Sequence, residues 1–221
     1  ASSPVRLISG QIAGPSLGKG QGQLHEVDDQ LDMFKPIVKW NARETGPGEL
    51  PGAVHEAFKQ MTSGRPRPVE LEITPDAFVS TADVEILEPE LFPEPEPDRD
   101  LISRAAVMLQ SANRPVIWAG GGALRARAGE ALLAVAEHLQ APIVTTPQGK
   151  GAISTAHLLY IGVNYAQVTL GTTALSDADV ILVAGSRFLT PSLKLASDQK
   201  VIQIDIDAGE MLAQLGKFFV V

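Results

Sequence analysis

The sequence predicts an α/β fold, a doubly wound parallel sheet preceded by a partial α/β domain, and three observations predict it. After residue 100, short apolar runs of strand length alternate with amphipathic segments of helical period. The composition is 44% apolar but only 5% aromatic, which suits aliphatic α/β packing. An acidic, proline-rich stretch separates this regular half from a front part whose few strands would make a poor isolated α/β domain.

In the front part, Val5 to Ile8 and Val69 to Ile73 (VELEI) read as strands. Between them, Pro51 to Met61 puts Val54, Ala57, Phe58 and Met61 at helical spacing, and Ser63-Gly64-Arg65-Pro66 stops that helix. From Thr81 to Asp100, eight acids stand against Arg99 alone, a net −7 of the chain's −8, with Pro89, Pro93, Pro95 and Pro97 among them. Proline and self-repelling carboxylates favour an extended, solvated linker. The expected organisation is therefore 1–80, linker 81–100, and 101–221.

Behind the linker, Leu101 to Leu109 reads as a helix, Pro115 to Ala119 as a buried strand, Ala126 to Leu139 as a helix and Pro142 to Thr145 as a strand. Val180 to Ala184 and Val201 to Ile206 complete the expected strands, and strands alternating with helices imply parallel crossovers.

Composition narrows the function. With no cysteine and four scattered histidines, neither a disulfide nor a structural metal site is expected. Outside the linker the charge is almost balanced, so no nucleic-acid footprint is expected. No apolar run reaches the roughly 20 residues of a membrane span, and a soluble, cytoplasmic protein is the expectation.

Four strand ends carry small or polar residues: Gly120-Gly121-Gly122, Thr145-Thr146-Pro147-Gln148-Gly149, Gly185-Ser186-Arg187 and Asp205-Ile206-Asp207. In an open parallel sheet all four lie on the carboxyl edge, where ligands bind. The glycine trio lets amides approach a diphosphate, or serves as an ordinary strand-to-helix turn. Asp205 is placed like an acid that takes a ribose hydroxyl, and Arg187 either pairs a phosphate or a neighbouring acid. Between Gly10 and Trp40 the polar residues include Asp28 and Asp29 on an expected helix, and their spacing supports no triad or carboxylate pair.

Taken in order, ISGQIAGPSLGKG, LHEVDDQ, IVKW and EAFKQMTSGRPRPVELEITPD resemble the second half of the pyrimidine-binding domain of acetolactate-synthase-like, thiamine-diphosphate-dependent enzymes. After the linker, RPVIWAGGG, APIVTTPQGKGAIS, ADVILVAGSRF and VIQIDIDAGEM resemble their central domain, which has a nucleotide-binding-like fold.

The resemblance implies a 2-keto-acid decarboxylase or carboligase (transferase or lyase chemistry) that works as a homodimer or homotetramer. It also implies Mg²⁺ and thiamine diphosphate, whose thiazolium accepts electrons on decarboxylation. The family's activating glutamate lies upstream of the matching segment and its GDG motif is absent here, so this chain alone is expected to be inactive. By the same resemblance, Gln11 matches a glutamine of the cofactor and substrate pocket, and Lys39 the lysine of a TKH-like motif that here reads VKW. Relatives with FAD contact it at positions matching Gly120, Gly121, Thr146, Gln148, Gly185, Arg187 and Asp205. The flavin-side signature differs, since GMHG reads Gly162-Val163-Asn164-Tyr165, and Leu189, Thr190 and Pro191 follow RF. FAD, an ADP-like ligand or an empty cleft are the alternatives at that edge. A stand-alone ADP/FAD module and a purely structural domain are the rival readings of the whole chain.

Overall fold

In the computed structural model, the described residues are 2–164, 170–188, 195–207 and the backbone of 218–220. Tyr165, Leu189, Thr190, Pro191 and the Ala208 to Met211 end of the VIQIDIDAGEM motif lie outside them. The chain divides into two compact units, Ala1–Pro95 and Glu96–Val221.

In the first unit β1 (Arg6–Gly10), β2 (Trp40–Glu44) and β3 (Val69–Ile73) form a parallel sheet in the order β1-β3-β2. Register pairs both Arg6 and Trp40 with Val69, and both Gly10 and Glu44 with Ile73. Central β3 is buried at all five positions. Its odd-numbered residues pack against α2 (Leu50–Thr62), where Ala53, Ala57 and Met61 are buried. Each large aliphatic side chain so removed from water, such as Leu71 or Ile73, contributes roughly 1.5–3 kcal/mol before chain entropy is counted, and each alanine less. Phe58, expected on that face, is exposed; Ala53 takes the inward position instead, and the Arg6 guanidinium stands 4.7 Å over the Phe58 ring.

Short helices α1 (Gln30–Phe34) and α3 (Pro75–Val79) complete the unit. Asp29 caps α1 by accepting from the Asp32 amide at 3.2 Å, so it ends a loop where the sequence suggested a helix running through Asp28 and Asp29. Residues 80–97 have no regular secondary structure.

The second unit opens with α4 (Arg99–Gln110), capped by the Asp98 carboxylate on the Asp100 and Leu101 amides. It continues through β4 (Pro115–Ala119), α5 (Gly121–Arg125), α6 (Gly129–Leu139), β5 (Ile143–Thr145) and β6 (Tyr160–Val163). α7 (Leu170–Asp177), β7 (Val180–Ala184), β8 (Lys200–Ile204) and β9 (Phe218–Val220) follow. The six strands form a parallel sheet ordered β6-β5-β4-β7-β8-β9. The chain winds outward from β4, returns to β7 beside β4 and winds outward the other way.

Ile117, Ile143, Leu182 and Ile202 face Ala105 of α4 and Leu132 and Ala136 of α6, while Val116, Val144, Ile181 and Val201 face Leu175 of α7. Helices therefore cover both faces, as buried parallel strands require.

A helix in this unit also differs from the expectation. The helix foreseen from Ala126 to Leu139 starts only at Gly129, after Arg127 with a φ of 53°, and the separate α5 ends before it at Arg125. The break lets Gly129 lie against the Ala152 carbonyl, where an added Cβ would stand 2.2 Å from the oxygen. Among the described residues no helix is long and apolar enough to cross a membrane.

Candidate functional site

Each sheet presents a carboxyl edge with its own chemistry. In the second unit the strand order reverses between β4 and β7, and at such a switch point the two outgoing loops diverge and leave a crevice. The glycine trio follows β4, Thr146 and Gln148 follow β5, Gly185 and Arg187 follow β7, and Asp205 follows β8. All the expected cofactor-contact residues thus share one edge.

At this edge, however, the loops are knit to one another. The Gly120 amide donates to the Ala184 carbonyl at 2.8 Å, the Gly122 amide to Gly185 at 2.9 Å, and the Gly185 amide to Ile204 at 2.8 Å. A Cβ on Gly120 would stand 2.3 Å from the Gly185 oxygen, and one on Gly185, at φ +59°, 2.3 Å from the Ala123 nitrogen. These glycines serve close approach between loops, and the amides of Gly120 and Gly122 already have partners. A Cβ on Gly121 would lie 3.1 Å from the Gln148 Cβ, which places Gln148 beside the trio.

Thr146 turns inward too. Its amide donates to Ala119, and its hydroxyl accepts from the Gly149 amide at 3.0 Å. The Asp205 carboxylate takes the Asp207 amide at 3.1 Å. Ser186 is fixed from two sides, by Trp118 Nε1 donating to its hydroxyl at 3.0 Å and by Gln203 donating to its carbonyl at 3.0 Å. The Trp118 and Phe188 rings meet edge to face at 5.3 Å. A diphosphate cradle needs free amides, so the trio does not fit one as it stands.

In the first unit, Gln11 follows the carboxyl end of β1. Its Oε1 accepts from the Ile12 amide at 2.7 Å, and its Nε2 donates to Glu72 Oε1 at 3.3 Å. One amide hydrogen and one lone pair remain for a ligand. Glu72 also accepts from Arg43 Nε, and Asp29 lies 3.8 Å from the same guanidinium. Glu70 accepts from the Ser9 hydroxyl at 2.5 Å, and Gln30 donates to Ser9 and to the Gly10 carbonyl. Glu70 and Glu72 are both fully buried, with one oxygen of each unpartnered. Burial pushes the Glu70 carboxyl above its ordinary range and the neighbouring Glu72 charge adds to this, against the pull of Ser9 and Arg43.

This polar face escaped the sequence reading. The alternation V-E-L-E-I was the available signal, since period 2 puts both glutamates on one face.

Lys39 is elsewhere. It precedes β2, its amide donates to the Pro68 carbonyl, and its ammonium reaches the Ser63 and Arg65 carbonyls at 2.8 and 3.4 Å. Because the strands are parallel and in register, Gln11 and Lys39 stand at opposite ends of the sheet, six residue steps or roughly 20 Å apart along the strand direction at 3.3 Å per residue. The structure does not bring these two expected site residues together. Among the described residues no group of three or more His, Asp or Glu is placed to hold a metal ion.

A six-stranded parallel sheet in this order, clad by helices on both faces, defines the doubly wound dinucleotide-fold class. Within that class, residues 102–217 match the model of the thiamine pyrophosphate enzyme central domain, more than half of the chain, and the chain belongs to that family. Similarity extends through the first unit as well. A probable acetolactate synthase large subunit of Methanocaldococcus jannaschii is 33% identical over 95% of this chain and 37% of its own length. A probable 2-ketoarginine decarboxylase of Pseudomonas aeruginosa is 34% identical over 93% of this chain and 37% of its own. A sulfoacetaldehyde acetyltransferase of Rhodobacter capsulatus is 29% identical over 93% and 35%. The chain thus spans little more than a third of the length of these relatives.

Proposed function

We propose that this chain is part of a thiamine-diphosphate-dependent enzyme that decarboxylates or joins 2-keto acids, with Gln11 as a residue of its cofactor and substrate pocket. The observation that carries the proposal is that similarity to acetolactate synthase, 2-ketoarginine decarboxylase and sulfoacetaldehyde acetyltransferase runs through both units, at 93–95% of the chain. Gln11 supports it with an amide held at a strand tip and polar atoms to spare.

Thiamine diphosphate, when bound, supplies an electron sink for the carbanion that decarboxylation leaves. The residues present suit the organic end of that cofactor and the keto acid. The Gln11 amide hydrogen can donate to a carboxylate or carbonyl oxygen, and buried Glu72 keeps the adjacent part of the β3 face polar. Mg²⁺ and the diphosphate are assigned to parts of the enzyme outside this chain. Lys39 supports the carbonyls that end α2 rather than the pocket. The whole enzyme works in the cytoplasm as a homodimer or homotetramer.

The test is CO₂ release by the full-length protein, with thiamine diphosphate and Mg²⁺, across a panel of 2-keto acids including pyruvate and 2-oxobutyrate. Turnover that depends on both cofactors and falls about 10-fold or more in Gln11→Ala is the expected result. No cofactor-dependent turnover with any member of the panel overturns the proposal.

A further inference from the structure

We propose that Glu72, balanced by Arg43, is a positioning residue that fixes the orientation of the Gln11 amide at the tip of β1. The inference rests on reading Gln11 as a pocket residue and adds what holds it there. Carboxylates are almost never fully buried unless paired, yet β3 buries two on one face. An apolar pair would serve the fold at least as well, because replacing buried ionic groups by hydrophobic ones is often neutral or stabilising. What a carboxylate adds is direction.

Ionised Glu72 is an acceptor only, and its Oε1 takes Arg43 Nε on one side and Gln11 Nε2 at 3.3 Å on the other. On the far side of the same amide, the Ile12 N–H is a donor only and takes Gln11 Oε1 at 2.7 Å. Reversing the amide would set oxygen against carboxylate and NH₂ against N–H, so both neighbours select one orientation. Arg43 pairs with Glu72 in its buried setting, and Arg43 is itself flanked by Asp29 at 3.8 Å. Ser9 and Gly10, which lead into Gln11, are held by Glu70 and Gln30, so the strand tip below the amide is fixed independently of Glu72.

A double-mutant cycle on the full-length holoenzyme tests this. Glu72→Ala is expected to lower kcat/KM by between about 10- and 100-fold, the cost of a misplaced contact group. In a Gln11→Ala background the same change should cost less than about 2-fold, since no amide remains to position. Glu72→Gln, which keeps length and an acceptor oxygen, should restore kcat/KM to within about 3-fold of the parent. The unfolding midpoint should fall equally in both backgrounds, which separates the structural share of the effect. If Glu72→Ala does not fold, Glu72→Leu, which keeps bulk without an acceptor, is read in the same two backgrounds.

Equal losses of kcat/KM with and without Gln11, or failure of all three variants to fold, would assign Glu72 to stability and overturn the proposal. If Gln11→Ala alone leaves turnover unchanged, the assignment of Gln11 itself falls, and this proposal with it.

Discussion

Glu70 carries an electrostatic cost in the native state. It is fully buried beside a second carboxylate, with Ser9 and Arg43 as its favourable contacts, and burial first and Glu72 next raise its pKa above the ordinary 4.5. A native carboxyl with a raised pKa costs nothing while both states are protonated. As pH climbs from 4.5 through the raised native value, the unfolded state gives up its proton first and the native state loses stability. Glu70→Gln mimics the protonated form at every pH. In urea denaturation, the variant should therefore have a higher midpoint than the parent at pH 8, and the gap should close towards pH 4. A gap that widens on acidification would show that the Glu70 carboxylate is stabilised in the native state.

At the scale of elements, Asp179 shows how one side chain joins two crossovers. Just before β7, it accepts from the Asn113 and Arg114 amides at 2.7 and 2.9 Å, while Arg114 Nε donates to the Asp177 carbonyl at 2.6 Å. The turn from α4 into β4 is thus tied to the turn from α7 into β7. Burial alone would raise the Asp179 carboxyl, but the amides of Asn113 and Arg114, with those of Asp179 and Val180, outweigh it and lower the pKa. With the native pKa depressed, this stabilisation is present above the ordinary 3.8 and is lost as pH falls through the native value. Asp179→Asn should cost about 1 kcal/mol at pH 7. In thermal unfolding the gap to the parent should begin to close at pH 3.8 and vanish below the native pKa. A gap unchanged at the lowest pH would mean that the carboxylate charge contributes nothing.

The same scale explains what could be read in the sequence. VELEI, PVIWA and VILVA announced themselves because each is buried along its whole length. The strands that went unread, WNARE (β2), YIGV (β6) and FFV (β9), all lie at sheet edges. An edge strand has a neighbour on one side only, so less of its pattern is forced to be apolar. Strand order was not legible either, since β4 meets β7 across 60 residues of intervening chain that local periodicity cannot see. The site was legible as a set of strand tips. That Gln11 and Lys39 fall at opposite ends of a sheet depends on register, which emerges only when three strands pair.

For the whole molecule, the open question is whether the doubly wound sheet still carries a nucleotide. The seven expected cofactor-contact positions share the carboxyl edge, which favours a ligand on topology alone. The chemistry at the switch point argues the other way. Two of the three glycine amides donate to carbonyls at the end of β7 and the start of its loop, Gly185 at φ +59° fills the space between the loops, and Trp118 and Gln203 brace Ser186 behind it. Freeing the amides of Gly120 and Gly122 would break two backbone hydrogen bonds, each worth about 1 kcal/mol net, and would strip cover from buried carbonyls at further cost. A nucleotide bound here would spend part of its affinity on that opening. Titration calorimetry of this chain with ADP and with FAD should therefore give no saturable heat, and protein purified from cells should lack the visible absorbance of an oxidised flavin. Saturable binding of ADP that is lost in Gly121→Val would show instead that the loops part and that the edge remains a nucleotide site.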